Sequence, residues 1–312
     1  MLSQADVTAL LDLDRLLDAL EEGFRAVSSG KVEVPGRTAV TTEHDGWLGT
    51  MPGYGPGLGL GVKLVSVFPH NDAAGLPSHQ ALIALFDPAT GSPLAVMDGT
   101  RITAIRTAGA AAVSARHLAR KDSRVLAIIG AGVQGHAHIE IFPRVRDFDE
   151  IRIASRTIDS ARKLAALDPK ARAVESFEDA ARGADVIAMC THSSTPVVQR
   201  EWVAAGTHVT SVGYAAPHGE LDRELAEAAN LFVESRAAAF SPPPAGCMEL
   251  AGMDPDKATE MGEVLLGQRP GRRSDDEITV YKSMGHAVED LAASNLVYKE
   301  ALARGAGSSV EL

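Results

Sequence analysis

The stretch that most restricts this chain lies near its middle. Five apolar residues, Val125-Leu-Ala-Ile-Ile129, run without interruption into Gly130-Ala-Gly-Val-Gln-Gly135. An unbroken apolar run suits a parallel strand covered on both faces. A G-x-G-x-x-G that follows such a strand and opens a helix is a dinucleotide-binding fingerprint. Gly130 permits the tight turn, Gly132 lets backbone amides approach a pyrophosphate, and Gly135 lets the helix pack on the strand. The anion would rest at the positive end of that helix. The glycine loop alone is a weak signal, and the residues around it strengthen it. Strand-like segments at 151–154, 173–174, 185–190, 208–212 and 231–233 alternate with helix-like segments at 158–167 and 177–182. Such a βαβ series builds a parallel sheet flanked by helices.

The second strand of the series reads the cofactor. NAD requires an Asp or Glu near its end to bond the ribose 2′-OH. Here the strand ends in Ser155-Arg156-Thr157, with no carboxylate. A planar guanidinium suits a phosphate, so Arg156 favours NADPH over NADH.

The remainder of the chain is patterned differently. Leu10, Leu11, Leu13, Leu16, Leu17, Leu20 and Phe24 recur at helical spacing. Residues 32–100 break into short β-rich pieces at 37–42, 47–51, 61–68, 80–87 and 93–98, separated by Gly, Pro, Asn and Asp. That pattern predicts an antiparallel sheet with tight turns, one of them at Asp87-Pro-Ala-Thr-Gly91. Helices are predicted over 103–120, rich in alanine, and over 285–304.

Charge and composition exclude several functions. With 30 Lys+Arg against 41 Asp+Glu, the net charge is −11, which argues against a nucleic-acid partner. The longest uncharged run, 202–219, holds two His, a Pro and several Gly, so no membrane span is expected. The acidic, helix-patterned first residues do not form a signal peptide. Two cysteines, Cys190 and Cys247, make a disulfide framework unexpected and a reducing cytoplasm the default. The core of a 312-residue chain needs no structural metal.

Polar residues stand in the β-rich part where a pure core would have none: Arg37, Lys63, Ser78, His79, Asp98, Arg106 and Thr107. Lys63 interrupts an apolar strand, Gly61-Val-Lys-Leu-Val65, and a lysine buried there would have a lowered pKa. On pattern alone, a lysine on the open face of a half-exposed strand fits equally well.

These residues carry a resemblance. The stretches VPGRT, GWLGTMPGY, GVKLVSVFP, LPSHQALIALFDPATGSPLAVMDG, ITAIRTA, GAGVQGHAHIEIF, ASRT, GADVI and ITVYKSMGHAVEDLAASNLVY resemble the ornithine cyclodeaminase/mu-crystallin family. The likeness runs from about residue 34 to the last helix, and PSHQ and LAVMDG are its most specific parts. It implies an α/β fold: a Rossmann-type domain, 116–285, inserted into an α+β substrate and dimerisation domain made of 1–115 and 286–312. It implies a homodimer and NADPH-dependent reduction of a cyclic ketimine or imine carboxylate. By this likeness Arg37 grips the substrate carboxylate, Lys63 is the catalytic lysine at the imine, and Arg106 and Thr107 lie near substrate and nicotinamide. Ser78 and His79 would line the cofactor pocket. Gly130, Ala131, Gly132, Val133, Gln134 and Gly135 would form the phosphate loop, and Ser155, Arg156 and Thr157 would hold the 2′-phosphate. Thr191 would cover the adenosine side and Met284 the nicotinamide.

One departure bears on the reaction. Cyclodeaminases of the family carry an aspartate in a Val-Gly-x-Asp-x-Pro stretch, whereas this chain reads Val212-Gly-Tyr-Ala-Ala-Pro217. Ala215 stands at that place, and the next loop, through Asp222, is one residue shorter. Ornithine or lysine cyclodeamination, an alanine-type dehydrogenase and a non-catalytic NADPH-binding protein remain as alternatives to imine reduction.

Overall fold

The computed structural model describes residues 1–243 and 245–311, with Asp72 by its backbone alone. The chain opens with helices α1 (Gln4–Leu10) and α2 (Leu13–Ser28). The single helical pattern of the sequence is split because Asp12 takes the N-cap of α2, accepting from the Asp14 and Arg15 amides. Five strands follow: β1 (Thr38–Thr41), β2 (Trp47–Gly55), β3 (Gly59–Val67), β4 (His79–Phe86) and β5 (Pro93–Asp98). Helix α3 is Thr100–Leu118. Next come β6 (Val125–Ile129), α4 (Val133–Ile141), β7 (Glu150–Ala154), α5 (Ile158–Ala165), β8 (Ala171–Ala173), α6 (Phe177–Ala181), β9 (Val186–Met189) and β10 (His208–Ser211). Then α7 (Arg223–Ala228), β11 (Asn230–Val233), α8 (Arg236–Ala239), β12 (Thr259–Glu260), α9 (Met261–Leu265), β13 (Thr279–Lys282) and α10 (Ala287–Arg304) complete the chain.

Contacts divide the molecule into two units, residues 1–106 with 286–312, and residues 107–285. The sequence placed the first boundary at 115; the division lies inside α3. The reason is local: Ser114 hydrogen-bonds His208 on β10, and Thr279 on β13 donates to the Leu118 carbonyl. The second half of α3 therefore packs with the parallel strands.

In the first unit, β1 to β5 form an antiparallel meander in chain order. Register aligns Met51, Lys63, Ile83 and Met97 in one row across β2 to β5, and all four are buried. Helix α10 packs over β2 and β3, and α2 packs on α10. Leu16, Leu17, Leu20 and Phe24 of α2 are fully buried, each such side chain contributing about 1.5–3 kcal/mol. The predicted turn is present, with Asp87 Oδ1 accepting from the Ala89 and Thr90 amides.

In the second unit, eight parallel strands take the order β12-β11-β13-β10-β9-β6-β7-β8. The chain runs outward from β6 to β8 and then returns to β9 on the other side of β6. That reversal is the switch point beyond which doubly wound sheets bind ligands. The sequence missed β13 and set β8 two residues late. Cys190 and Cys247 are free and buried. Among the described residues no helix is long and apolar enough to cross a membrane, and no His, Cys, Asp and Glu cluster could hold a metal ion.

Candidate active site

The dinucleotide loop leaves β6 at the switch point. Gly130 has φ 115°, and a Cβ there would lie 2.7 Å from the Cys190 carbonyl oxygen. A Cβ on Gly135 would meet the Gly130 oxygen at 2.3 Å, whereas one on Gly132 would meet nothing within 4 Å. Two glycines are thus required by packing, and the third faces open space. Gly132 is the N-cap of α4 and offers no side chain to cap it. The first amides of α4, from Val133 to Gly135, are left for an anion. These residues fit a pyrophosphate.

Register puts the end of β7 beside this loop. Ile129 pairs with Ala154, and the Gly130 amide donates to the Ala154 carbonyl at 2.9 Å. Ser155, Arg156 and Thr157 follow at once. Thr157 caps α5 by accepting from the Ser160 amide. Arg156 is exposed and enters no hydrogen bond or ion pair with a described residue. Its guanidinium is available to a phosphate. Thr191, after β9, donates its amide and hydroxyl to Glu220 Oε2, both at 2.7 Å. The Met284 amide, after β13, donates to Glu234 at 2.7 Å.

The first unit contains a buried charge cluster. Lys63 is 2% exposed, on the core face of β3. Its Nζ lies 2.9 Å from Asp290 Oδ1 and 2.8 Å from Oδ2. Arg106, equally buried, donates from Nε to the same Oδ1 at 2.8 Å and from Nη1 to Glu289 at 2.6 Å. Burial is the main reason that the Lys63 ammonium titrates near 8; the Arg106 charge adds to it, Asp290 opposes it, and Arg37 contributes further. Burial disfavours the Asp290 carboxylate, but Arg106 and Lys63 outweigh burial and hold its pKa down. Arg106 is also opposed by burial, yet Asp290 and Glu289 keep it firmly charged.

The structure therefore joins Lys63 and Arg106 through one carboxylate, with Arg37, half buried ahead of β1, near enough to act on Lys63. Ser78 and His79 lie together at the start of β4, Ser78 Oγ 3.1 Å from His79 Nδ1. Thr107 is buried in α3. Sequence reasoning missed Glu289, Asp290 and His286. Two acids on an amphipathic helix read as a solvated face. The available signal was that cations buried at Lys63 and Arg106 require anions.

The profile of the ornithine cyclodeaminase/mu-crystallin family matches residues 1–305. The chain is 42% identical over 286 residues to ketimine reductase mu-crystallin of Mus musculus, covering 90% of each chain. Its fold matches Thermococcus litoralis Δ1-pyrroline-2-carboxylate reductase, solved with NADH and L-proline, at TM-score 0.93 and 35% identity over 99% of both chains. An archaeal alanine dehydrogenase dimer with bound NAD matches at TM-score 0.89 and 34% identity, over 99% of this chain and 98% of that one. The chain belongs to the ornithine cyclodeaminase/mu-crystallin family.

Proposed function

We propose that this protein reduces a cyclic ketimine carboxylate to the cyclic imino acid with NADPH. The broader class, an oxidoreductase acting on C=N bonds with a nicotinamide cofactor, follows from the family and from the relatives' activities. The observation that carries the specific reading is the Lys63–Asp290–Arg106 cluster. A lysine that titrates near 8 is mostly protonated at neutral pH and still a competent acid. Lys63 delivers the proton to the imine nitrogen, because the iminium is the better hydride acceptor. Arg37 and Arg106 hold the carboxylate, which fixes the C=N bond and lowers the entropic part of the barrier. When bound, the nicotinamide supplies the hydride. The free guanidinium of Arg156 supports NADPH.

Cyclodeamination lacks the aspartate that serves it in the cyclodeaminases. Ala215 has no carboxylate, and Asp222 is occupied, capping α7 and accepting from the Arg200 amide at 2.8 Å. Glu220 is likewise engaged by Thr191, Ser211 and Gly213. The test is NADPH oxidation with piperideine-2-carboxylate, pyrroline-2-carboxylate, or pyruvate plus ammonia, alongside L-ornithine with NAD⁺. A cyclic ketimine should consume NADPH while ornithine yields no ammonia above blank. Ammonia release rivalling ketimine reduction would overturn the reading.

The same proposal includes a homodimer. Leu48, Leu64, Leu82 and Val96 lie on the sheet face opposite Lys63, and Leu48 and Leu82 are exposed. Light scattering should give twice the chain mass, and Leu82→Glu should shift it toward the single chain.

A further inference from the structure

The N-terminal end of α10 carries a group that the charge cluster leaves unused. Glu289 and Asp290 are taken by Arg106 and Lys63, but His286, the N-cap, is not. Its Nδ1 accepts the Val288 amide at 3.4 Å, and its own amide donates to Glu289, closing a capping box. A ring nitrogen that accepts an amide carries no proton, so the neutral ring bears its proton on Nε2. Burial keeps the ring neutral, with a pKa near 4; Asp290 pulls the other way, and Arg106 and Arg37 add to the effect of burial. The residue is 8% exposed, and Nε2 bonds to no described protein group. Nε2 is not fully shielded, so its N–H opens to solvent, and the charges acting on the ring are Asp290, Arg106 and Arg37, the two arginines being those assigned to the substrate carboxylate.

We infer that His286 is a substrate-binding residue whose Nε2–H donates a hydrogen bond to the substrate carboxylate. This rests on the imine-carboxylate reading above. Arg106 already commits Nε to Asp290 and Nη1 to Glu289. A carboxylate offers about four acceptor positions. A neutral imidazole adds a directional donor without adding charge to a site already holding three cations.

Two variants separate the ring's two nitrogens. His286→Asn keeps an acceptor at the Nδ1 position, and asparagine is a favoured N-cap, but it has no group at Nε2. His286→Gln places an amide N–H near Nε2 and weakens the cap. In a wild type that turns over a cyclic ketimine, the asparagine variant should raise KM for that substrate about tenfold. Its kcat, its KM for NADPH and its Tm should stay near wild type. The glutamine variant should retain substrate KM and lose a few degrees of Tm. An unchanged KM in the asparagine variant, or equal rises in both variants, would overturn the inference and leave imine reduction standing. A wild type that reduces no imine carboxylate with either nicotinamide would overturn both.

Discussion

Each unit of the molecule buries a lysine on a β-strand against a carboxylate, and the two lysines behave in opposite ways. Lys63 meets Asp290, and Lys282 meets Glu249 at 2.5 Å and Gly213 O at 2.7 Å. Both are almost wholly buried. Lys63 is drawn down to about 8, whereas Lys282 is raised above its ordinary value. Burial opposes the charge at both sites. The neighbours differ: Lys63 shares its carboxylate with Arg106 and feels Arg37, while Glu249, Cys247 and Glu220 around Lys282 all favour its charge. Competition among cations makes a lysine titratable; a surplus of anions locks it. The first arrangement suits proton transfer and the second holds loops together, since Glu220 also binds Thr191, Ser211 and Gly213.

Substituting both lysines is the strongest way to break this contrast. Lys63→Met should lower kcat about 10²–10⁴-fold, the usual loss for a general acid, while NADPH binding and Tm hold. Lys282→Met leaves two buried carboxylates without their cation, and such a loss is worth about 3–5 kcal/mol of stability. A large fall in Tm should result. Reversed phenotypes would show that the neighbouring charges had been misread.

Arg156 is the third case, an exposed cation with no partner among the described residues. Arg156→Ala should weaken NADPH at least tenfold, since a contact to a charged group is worth about 1.5–3 kcal/mol, and barely change NADH. Equal losses for the two cofactors in fluorescence titrations, or a wild-type preference for NADH, would return Arg156 to a surface role.

The pH profile sharpens the contrast further. Lys63 is protonated below its pKa and loses the proton above it, so kcat/KM for imine reduction should fall as pH rises through about 8. In Lys63→Arg the limb should vanish, because guanidinium does not deprotonate in this range. The smallest shift in the pH profile belongs to Asp290→Asn. Asp290 holds the Lys63 pKa up, so removing its charge should move the limb to lower pH. A limb that stayed in place would mean that another group titrates.

Lys63 was legible in the sequence because one cation broke an apolar strand. Lys282 ends a wholly buried strand, Thr279-Val-Tyr-Lys282, whose residue types do not mark it as apolar in the sequence. At four residues, that strand is too short for its period to speak. Its partner Glu249 is remote in sequence, so nothing local announces the pairing. The glycine loop and the absence of an acid at 155–157 were readable because that chemistry is carried by neighbouring residues. The anions of α10 were not, since their meaning depends on β3 and α3, and no spacing within α10 records that contact.

The reach from Lys63 to Asp290 is gauged by a residue that has no side chain. Gly61 lies two places before Lys63 on the same face, and a Cβ there would stand 2.7 Å from the Ala84 carbonyl oxygen and 3.1 Å from Leu291 Cδ2. A methyl group would act as a shim between sheet and helix, opening the joint next to the Lys63–Asp290 pair. The site's mechanical tolerance is therefore set by its thinnest spacer. Anyone transplanting the cluster to another scaffold would have to reproduce that clearance before copying a single charge.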